Sequence, residues 1–270
     1  MFTTLSATPD WYKDLMTLIP DGKIFNLRAV FDGLPQIITK LPVTIGLTLG
    51  GAAFGLLLGL LFAIVKINKV PVIYRLQALF VSFLRGTPIL VQLMLTYYGI
   101  PLALKAINAR FGTSFNINDL PAYLFVVVAF AFNEAAYASE TLRAAIQSVD
   151  SGEIEAARSL GMTNTQVYSR VIIPNAAVVA TPTLINNLIG LTKGTSLAFS
   201  AGIVEIYAQA QIMGGRDYRY FERFISVAIV YWIVNILIEQ FGRFVERKMA
   251  IQSPEVQDLN QKFQAQGGDR

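Results

Sequence analysis

Residues 43–65 contain no charged side chain, and this run constrains the fold more than any other feature of the chain. A helix needs about 20 apolar residues to cross the hydrocarbon core of a bilayer, and this run supplies them. Charged residues make up only 15% of the 270 residues, against about 25% in soluble domains. Because lipid does not solvate charge, the sequence predicts an all-α integral membrane protein.

Further apolar stretches bring the number of predicted membrane-spanning helices to five. The stretch 76–104 is interrupted by Pro88, which lacks a helical N–H and disfavours a helical Thr87. We therefore expect an interfacial helix up to about Leu84 and a spanning helix from about Ile89. The remaining spans are predicted at 121–142, 175–210 and 223–244.

The pattern divides the chain into three parts. Residues 1–42 form an extracytoplasmic or interfacial segment, 43–250 a transmembrane domain, and 251–270 a disordered cytoplasmic tail. Trp11 and Tyr12 suit the lipid headgroup zone, although a loosely ordered N-terminal tail explains the same composition equally well. Basic residues follow the first and fifth spans, which favours an N-terminus outside and a C-terminus inside the cell.

Gly51, Gly55 and Gly59 recur every four residues in the first predicted span. A strip of small residues lets the backbone of a neighbouring helix approach closely inside a membrane. The alternative is flexibility of a lipid-facing surface. We expect close packing against another span.

A polar block, residues 150–174, separates the third and fourth spans, and we call it the elbow. Asp150 is expected to accept the N–H of Glu153, whose side chain reaches back, in a capping box that opens a short helix. That helix is predicted to end near Leu160, where Gly161 supplies a left-handed residue.

The second half of the elbow is also predicted to be helical. A capping box formed by Thr163 and Gln166 opens a helix over 164–173. Pro174 is expected to mark the return of the chain to the membrane.

The first elbow helix has a small apolar face. Ile154, Ala157 and Leu160 are expected to lie near one side of it, and Ala156 and Ala157 keep the helix thin enough to fit a groove on another protein. An amphipathic elbow in the inner leaflet, with no protein partner, fits the same periodicity.

The composition excludes several kinds of chemistry. The chain has no Cys and no His, which rules out disulfides, zinc–His sites and His proton relays. No Gly-x-x-x-x-Gly-Lys-[Ser/Thr] loop occurs, so nucleotide hydrolysis by that route is not predicted. The net charge of +4 fits basic loops at a membrane better than a nucleic-acid footprint. No cofactor and no metal are expected in this chain.

Polar residues inside the third span are candidates for a translocation path. Asn133, Tyr137 and Glu140 share one helix face by their spacing. A carboxylate at bilayer depth costs on the order of 2–4 kcal/mol, so it has to face protein or water. Glu140 fits equally well as a structural acceptor for Arg143. Glu134 is expected to point elsewhere and to contact another helix.

The fourth span is expected to break near Gly194, after which the chain can re-enter the membrane. A broken membrane helix presents free N–H and C=O groups to a cavity, where they can contact a polar ligand. Hydrogen bonding between helices explains the same polar residues equally well. The candidate substrate-binding residues are Asn133, Glu140, Asn187, Thr195 and Ser196.

The elbow resembles the coupling motif of ATP-binding-cassette importer permeases. Glu155, Ala156, Ala157, Gly161 and Pro174 fall at the offsets of that motif. The resemblance implies that these residues dock on a separate ATPase subunit, which binds ATP and Mg. It also implies that this chain is a transport subunit and not itself an enzyme.

Other segments resemble the polar amino-acid permeases of this class. The similarity runs through 83–88, 133–143 and 193–197, where Gly194 replaces the usual Asp. Residues 135–146 look most like L-cystine permeases. The resemblance implies a type I importer permease in a bacterial inner membrane, moving a polar amino acid into the cell.

The implied partners are a second permease copy in a homodimer, two ATPase subunits, an extracytoplasmic solute-binding protein, the amino-acid substrate and membrane lipid. No nucleic acid is expected.

Two other classes of function remain for comparison. An ion-coupled secondary transporter usually shows more spans and internal repeats. A membrane-embedded enzyme is disfavoured by the lack of His and Cys.

Overall fold

The computed structural model describes residues 9–18, 22, 25–114 and 120–249, and every regular element within these ranges is a helix. The α-helices are α1 (Asp10–Thr17), α2 (Leu27–Ile38), α3 (Leu41–Ile67), α4 (Ile73–Gly86), α5 (Ile89–Phe111), α6 (Ala122–Gln147), α7 (Ser151–Ser159), α8 (Asn164–Val167), α9 (Ile173–Gly194), α10 (Ile206–Asp217) and α11 (Tyr220–Met249). A π-helical turn, Tyr168–Ile172, joins α8 to α9, and a 3₁₀ helix, Thr195–Ala201, continues α9. The predicted all-α class is confirmed.

Five helical segments of the described chain are long and apolar enough to cross a membrane. They are Leu41–Ile67, Ile89–Phe111, Ala122–Gln147, Asn164–Ala201 and Tyr220–Met249. The five predicted spans are therefore confirmed, and the helices extend beyond most of the predicted bounds. The third span, for example, passes residue 142 and ends at Gln147, and Arg143 in this extension pairs with Glu140 one turn earlier.

The interruption between α4 and α5 is confirmed. α4 ends at Gly86, Thr87 is extended with ψ 146°, and Pro88 caps the start of α5. Pro88 fixes this geometry because its ring excludes a helical conformation at the preceding residue.

The fourth span differs from the prediction at both ends. The elbow helix does not stop before Pro174, because the π-helical turn Tyr168–Ile172 continues the helical backbone directly into α9, which has that proline in its first turn. Gly194 does not break the helix either. The backbone tightens into the 3₁₀ helix and ends only at Gly202, which is left-handed with φ 79°. The chain then turns into α10 as a separate helix.

The glycine strip of α3 lies directly against α6. A Cβ atom on Gly55 would fall 2.6 Å from the Cβ of Glu134, and one on Gly59 would fall 2.9 Å from the Cβ of Ala138. These distances are shorter than any normal contact between carbon atoms. The predicted close packing is therefore confirmed, and the partner helix is α6.

The N-terminal segment contributes to the fold through α2. Ile37 is fully buried in an apolar cluster with α10 and α11. The hydroxyl of Ser226 donates to the carbonyl of Val30 at 2.5 Å, and the guanidinium of Arg223 donates to the carbonyl of Ala29 at 2.6 Å. The loose-tail alternative is therefore wrong for α2.

The two ends of the chain are described only in part. α1 is held to α2 by a hydrogen bond from the Tyr12 hydroxyl to the carbonyl of Phe31, and Trp11 is exposed. The predicted disordered tail at 251–270 lies outside the described residues.

Replacing Gly55 with Ala is expected to lower the stability of the purified protein. The new methyl group overlaps the Glu134 side chain, and overpacking of this kind costs about 1–3 kcal/mol. Gly99→Ala is the matched control, because Gly99 is also helical and has no neighbour within 4 Å among the described atoms. Thermal unfolding in detergent measures both. Equal melting temperatures for the two variants would mean that α3 and α6 are not in close contact.

Candidate functional site

A pocket of about 260 Å³ that contains several polar side chains lies between α5, α6 and α9. Its lining combines amide, carboxyl and phenol groups with small residues. The lining residues are Ile89, Asn133, Glu134, Tyr137, Asn186, Asn187, Gly190, Leu191 and Gly194. Two of the five predicted substrate residues, Asn133 and Asn187, are therefore brought together.

Asn133 is oriented by Gln92 of α5. The Asn133 Nδ2 donates to Gln92 Oε1 at 3.0 Å. Gln92 Nε2 in turn donates to the carbonyls of Leu84 at 2.6 Å and Thr87 at 2.9 Å. Pro88 has no N–H to offer the Leu84 carbonyl, so Gln92 satisfies an acceptor that the helix break leaves free.

Glu134 lines the same pocket as Asn133, which the sequence analysis did not predict. Its residue surface is 6% exposed, and its Cβ packs on Gly55 as the expected helix contact. The carboxyl group reaches beyond that contact and lies against the Asn187 amide. The expectation that it points elsewhere is wrong, because two adjacent residues of α6 both border a pocket that also spans α5 and α9.

Glu140 is not in the pocket lining. Its carboxylate forms ion pairs with Lys66 at the end of α3 and with Arg143, whose Nη2 lies 3.0 Å from Oε2. The side chain is partly buried. Glu140 therefore has the structural role, as an acceptor for Arg143, that was the alternative to lining the pathway. Its ion pair with Lys66 also links α6 to α3.

Thr195 and Ser196 also lie outside the pocket lining. Thr195 is fully buried, and its hydroxyl lies 3.2 Å from the Tyr231 hydroxyl, which donates to Glu205 at 3.0 Å. The Ser196 hydroxyl donates to the carbonyl of Lys193 at 2.9 Å. Both hydroxyls are engaged within the protein because the helix continues through this point.

Glu205 organises a buried polar network that the sequence analysis missed. It is fully buried and caps α10 by accepting the N–H groups of Tyr207 at 3.0 Å and Ala208 at 2.8 Å. The Thr44 hydroxyl is a further donor at 3.5 Å. Burial raises the pKa of this carboxyl, and the donors around it act in the opposite direction. Glu is not a preferred capping residue, so its position gave no recognisable signal.

The start of the elbow differs from the prediction. Asp150 accepts the N–H of Gly152 at 2.8 Å rather than that of Glu153. The Glu153 side chain does not reach back, because it accepts a hydrogen bond from Asn175 Nδ2 at 2.7 Å. The predicted capping box at this end is therefore wrong, and Glu153 instead joins α7 to α9.

The turn of the elbow matches the prediction. Gln166 N–H donates to the Thr163 hydroxyl at 3.4 Å, and the Thr163 N–H donates to Gln166 Oε1 at 2.9 Å, so the second capping box is confirmed. Gly161 has φ 80°, which is the left-handed conformation that glycine adopts without strain.

The two faces of α7 have different surroundings. Ala157 is buried against Val167 and Ile172, whereas Glu155 and Ala156 are exposed. Leu160 is 80% exposed, so the expectation that it shares the face of Ala157 is wrong. α7 ends at Ser159, and Leu160 is its C-terminal cap with ψ 6°, so it no longer follows the helical register.

The elbow is attached to two spans. Ile146, at the end of α6, and Val149, just after it, pack on the apolar cluster around Ala157. The hydrogen bond between Glu153 and Asn175 and the π-helical turn attach it to α9. The same two spans carry most of the pocket lining.

A bundle of five membrane-spanning helices, with a polar pocket among them and an exposed helical elbow at one end, defines a membrane transport subunit. Residues 55–251 match the family described as "binding-protein-dependent transport system inner membrane component". The chain belongs to this family of ABC-transporter permeases, whose members are transport components that work with a separate ATPase.

Relatives found by sequence and by structure agree with this assignment. The probable amino-acid permease YxeN of Bacillus subtilis is 37% identical over 221 residues, covering 82% of this chain and 94% of the relative. The L-cystine permease TcyL of the same organism is 35% identical over 227 residues, covering 84% and 92%. The crystal structure of an amino acid ABC transporter with histidines gives a TM-score of 0.67 at 35% identity, covering 79% and 94%. The resemblance found in the sequence is confirmed.

A methionine ABC transporter, MetNI, shares the fold. Its inward-facing structure gives a TM-score of 0.60 at 19% identity and covers 80% of this chain and 96% of that chain. The predicted type I importer permease fold is therefore confirmed.

Replacing Gln92 with Leu is expected to destabilise the protein and to release Asn133. The change removes the donor to two carbonyls and the acceptor of the Asn133 amide, and each group left unsatisfied costs about 1–3 kcal/mol. Thr96→Val is the control, because it removes one hydroxyl bond to the Gln92 carbonyl one turn away. Thermal unfolding in detergent compares them. A Gln92→Leu protein as stable as the control would contradict this role.

Proposed function

We propose that this chain is the permease subunit of an ATP-driven ABC importer that moves a polar amino acid into a bacterial cell through its inner membrane. L-Cystine is one of the candidate substrates. The exposed helix face of the elbow carries the proposal, because Glu155 and Ala156 face solvent beside the left-handed Gly161 at the spacing of the coupling motif. The names of the relatives, which include amino-acid, cystine and arginine permeases, support the substrate class.

The proposed assembly has two permease copies, two ATPase subunits and an extracytoplasmic solute-binding protein. The ATPases carry ATP and Mg and dock on the two elbows through the exposed Glu155, Ala156 and Gly161. Ala157, which is buried, and Pro174 act behind that face by shaping the elbow. The family description, which refers to binding-protein-dependent transport, supports the third component. Asn186 and Gly190 border the pocket and are exposed, which suits a pathway completed by a second copy.

The elbow suits the transmission of motion because it is attached to α6 and α9 at once. A push on its exposed face reaches α6 through Ile146 and Val149, and reaches α9 through Asn175. Since α6 and α9 carry most of the pocket lining, both walls move with the ATPases, and the substrate site alternates between the two sides of the membrane.

Asn133 and Asn187 are the proposed substrate contacts among the five candidates. Both line the pocket, and Asn133 is held in place by Gln92. Glu140 is proposed to act at the same pathway indirectly, by fixing α6 to α3. Thr195 and Ser196 are proposed to position the end of α9 above the pocket.

Substituting Ala156 with Trp is expected to abolish binding of the ATPase without unfolding the permease. Ala156 is exposed, so the large ring meets no internal neighbour but obstructs a docking groove. Ala106→Trp is the matched control, because Ala106 is an exposed alanine near the C-terminal end of α5 and is not part of the elbow. Co-purification of a nucleotide-binding protein from the native host measures the effect. If that protein is retained by Ala156→Trp as well as by the control, the docking surface lies elsewhere.

A transport assay separates this function from ion-coupled secondary transport. Proteoliposomes that contain the assembled complex are expected to accumulate a radiolabelled amino acid only with ATP and the binding protein present. Uptake driven by an ion gradient alone, without ATP, would favour the secondary transporter.

A further inference from the structure

We propose that the loop between α3 and α4 binds the headgroup of an anionic phospholipid, whose acyl chains lie along the exposed apolar side of α4. Residues 68–72 form this loop, and together with the first turn of α4 they border a cavity of about 680 Å³, which we call the loop cavity. Its lining residues are Lys69, Pro71, Val72, Tyr74, Arg75 and Leu76. None of them lines the pocket between α5, α6 and α9, so the inference goes beyond the proposed function.

The loop cavity presents two unpaired cations. Lys69 and Arg75 are both exposed, and within the described ranges no Asp or Glu forms an ion pair with either of them. Lys66, three residues before Lys69, differs because it pairs with Glu140. The described residues that line the cavity include no carboxylate, and Tyr74 adds a phenol group. These groups suit a phosphate, which Lys and Arg bind through charge-assisted hydrogen bonds.

The backbone of the loop adopts an uncommon conformation at two positions. Lys69 has φ 47° and Val72 has φ 64°, so both lie in the left-handed region. A β-branched residue such as Val rarely adopts this conformation. Strained backbone of this kind occurs mainly at ligand sites and switch regions, where the surroundings hold it in place. The conformation therefore favours a binding role for the loop over that of a simple connection.

The side of α4 that faces away from the bundle is apolar. Val81 and Leu84 are buried against Ala136 of α6. The opposite side carries large apolar side chains that are 48–71% exposed, namely Val72, Leu76, Leu79 and Phe83. Because they recur every three or four residues, they share one helix face. An exposed apolar face beside basic residues is typical of a helix that lies at a membrane surface.

The loop cavity lies at the level of the lipid headgroups on the elbow side of the bundle. The charge-free run of α3 ends at residue 65, and the loop follows within a few residues. The ion pair between Lys66 and Glu140 places this end of α3 beside the last turns of α6, which lead into the elbow. Basic residues next to a membrane-spanning helix attract the headgroups of anionic lipids at this depth.

An anionic phospholipid matches both parts of this surface at once. Its phosphate is expected to contact Lys69 and Arg75, and its acyl chains are expected to cover Leu76 and Leu79. A soluble phosphate would leave the apolar face of α4 uncovered. An acidic surface of a partner protein would match the cations but would not cover the apolar face either, so the lipid is the favoured occupant.

The test is the binding of phosphatidylglycerol to the full-length chain, purified in detergent with its associated subunits and stripped of lipid. Native mass spectrometry counts the bound lipid during titration with phosphatidylglycerol or with phosphatidylcholine, which has no net charge. Lys69→Gln combined with Arg75→Gln removes both charges of the loop cavity. Arg247→Gln combined with Lys248→Gln is the matched control, because it removes two exposed cations near the end of α11 that do not line the cavity.

The loop-cavity variant is expected to raise the Kd for phosphatidylglycerol about tenfold, as the loss of charge-assisted contacts to a phosphate implies. The control variant and the binding of phosphatidylcholine are expected to be unaffected. Wild-type affinity in the loop-cavity variant would overturn the proposal. An equal loss in the control would do the same, because it would indicate a general attraction between charges.

Two further outcomes distinguish the lipid from other occupants. Excess glycerol 3-phosphate, which has the headgroup phosphate but no acyl chains, is expected not to displace the lipid. Complete displacement would mean that the site binds a soluble anion. Loss of an ATPase subunit from the loop-cavity variant during purification would mean that the cations contact that subunit. Either result would overturn the proposal.

A measurement on the wild-type protein covers the case in which the variant does not fold. Photoactivatable phosphatidylglycerol in nanodiscs is expected to label residues 69–83 with a several-fold higher yield than photoactivatable phosphatidylcholine. Equal yields, or no labelling of this segment, would contradict the assignment. Neither measurement uses a transported substrate, so a failure here is distinct from a failure of the proposed function.

Discussion

The close contact between α3 and α6 is the constraint on which the rest of the molecule depends. Only glycine at 55 and 59 lets the two backbones approach as they do, since an added Cβ would overlap atoms of Glu134 or Ala138. This contact fixes the rotation of α6 about its own axis. The rotation of α6 then decides which of its polar residues border the pocket and which meet the ion pairs near the end of α3.

The polar groups of the membrane region divide into two kinds. Gln92, Glu140 and Glu205 satisfy or pair with groups of the protein itself, and they hold helix ends and helix breaks in place. Glu134 and Asn187 are neighbours in the pocket instead, and no described Lys or Arg forms an ion pair with Glu134. In a medium without water, a buried carboxyl group without a charged partner is costly unless a ligand or a second subunit meets it.

Much of this architecture could be predicted from the sequence. Length and hydropathy located all five spans, Pro88 located the break before α5, and Gly161 located the turn of the elbow. Tertiary contacts decided the rest. Glu153 left its expected capping box because Asn175 of a different helix competes for it, a pairing that no local pattern contains.

The substrate site was predicted only in part, for a related reason. Helix periodicity identified Asn133, and the expected break near Gly194 pointed to Asn187. Neither could show that the fourth span continues through Gly194 into a 3₁₀ helix. Because the helix continues, Thr195 lies outside the pocket and its hydroxyl contacts that of Tyr231. Gly194 and Ser196 suggested a break in the helix, but the helix continues at this point and packs against α11.

The π-helical turn at Tyr168–Ile172 sets the direction in which the elbow points. A π turn accommodates one residue more than the same length of α-helix, and one residue corresponds to about 100° of rotation about the axis. The π-helical turn therefore rotates the elbow about the axis of α9 relative to its position on an uninterrupted α-helix. Ile172 is buried against Ala157, whereas the adjacent Ile173 is exposed. A homologue with one residue fewer in this turn would have its elbow rotated to a different side of the fourth span.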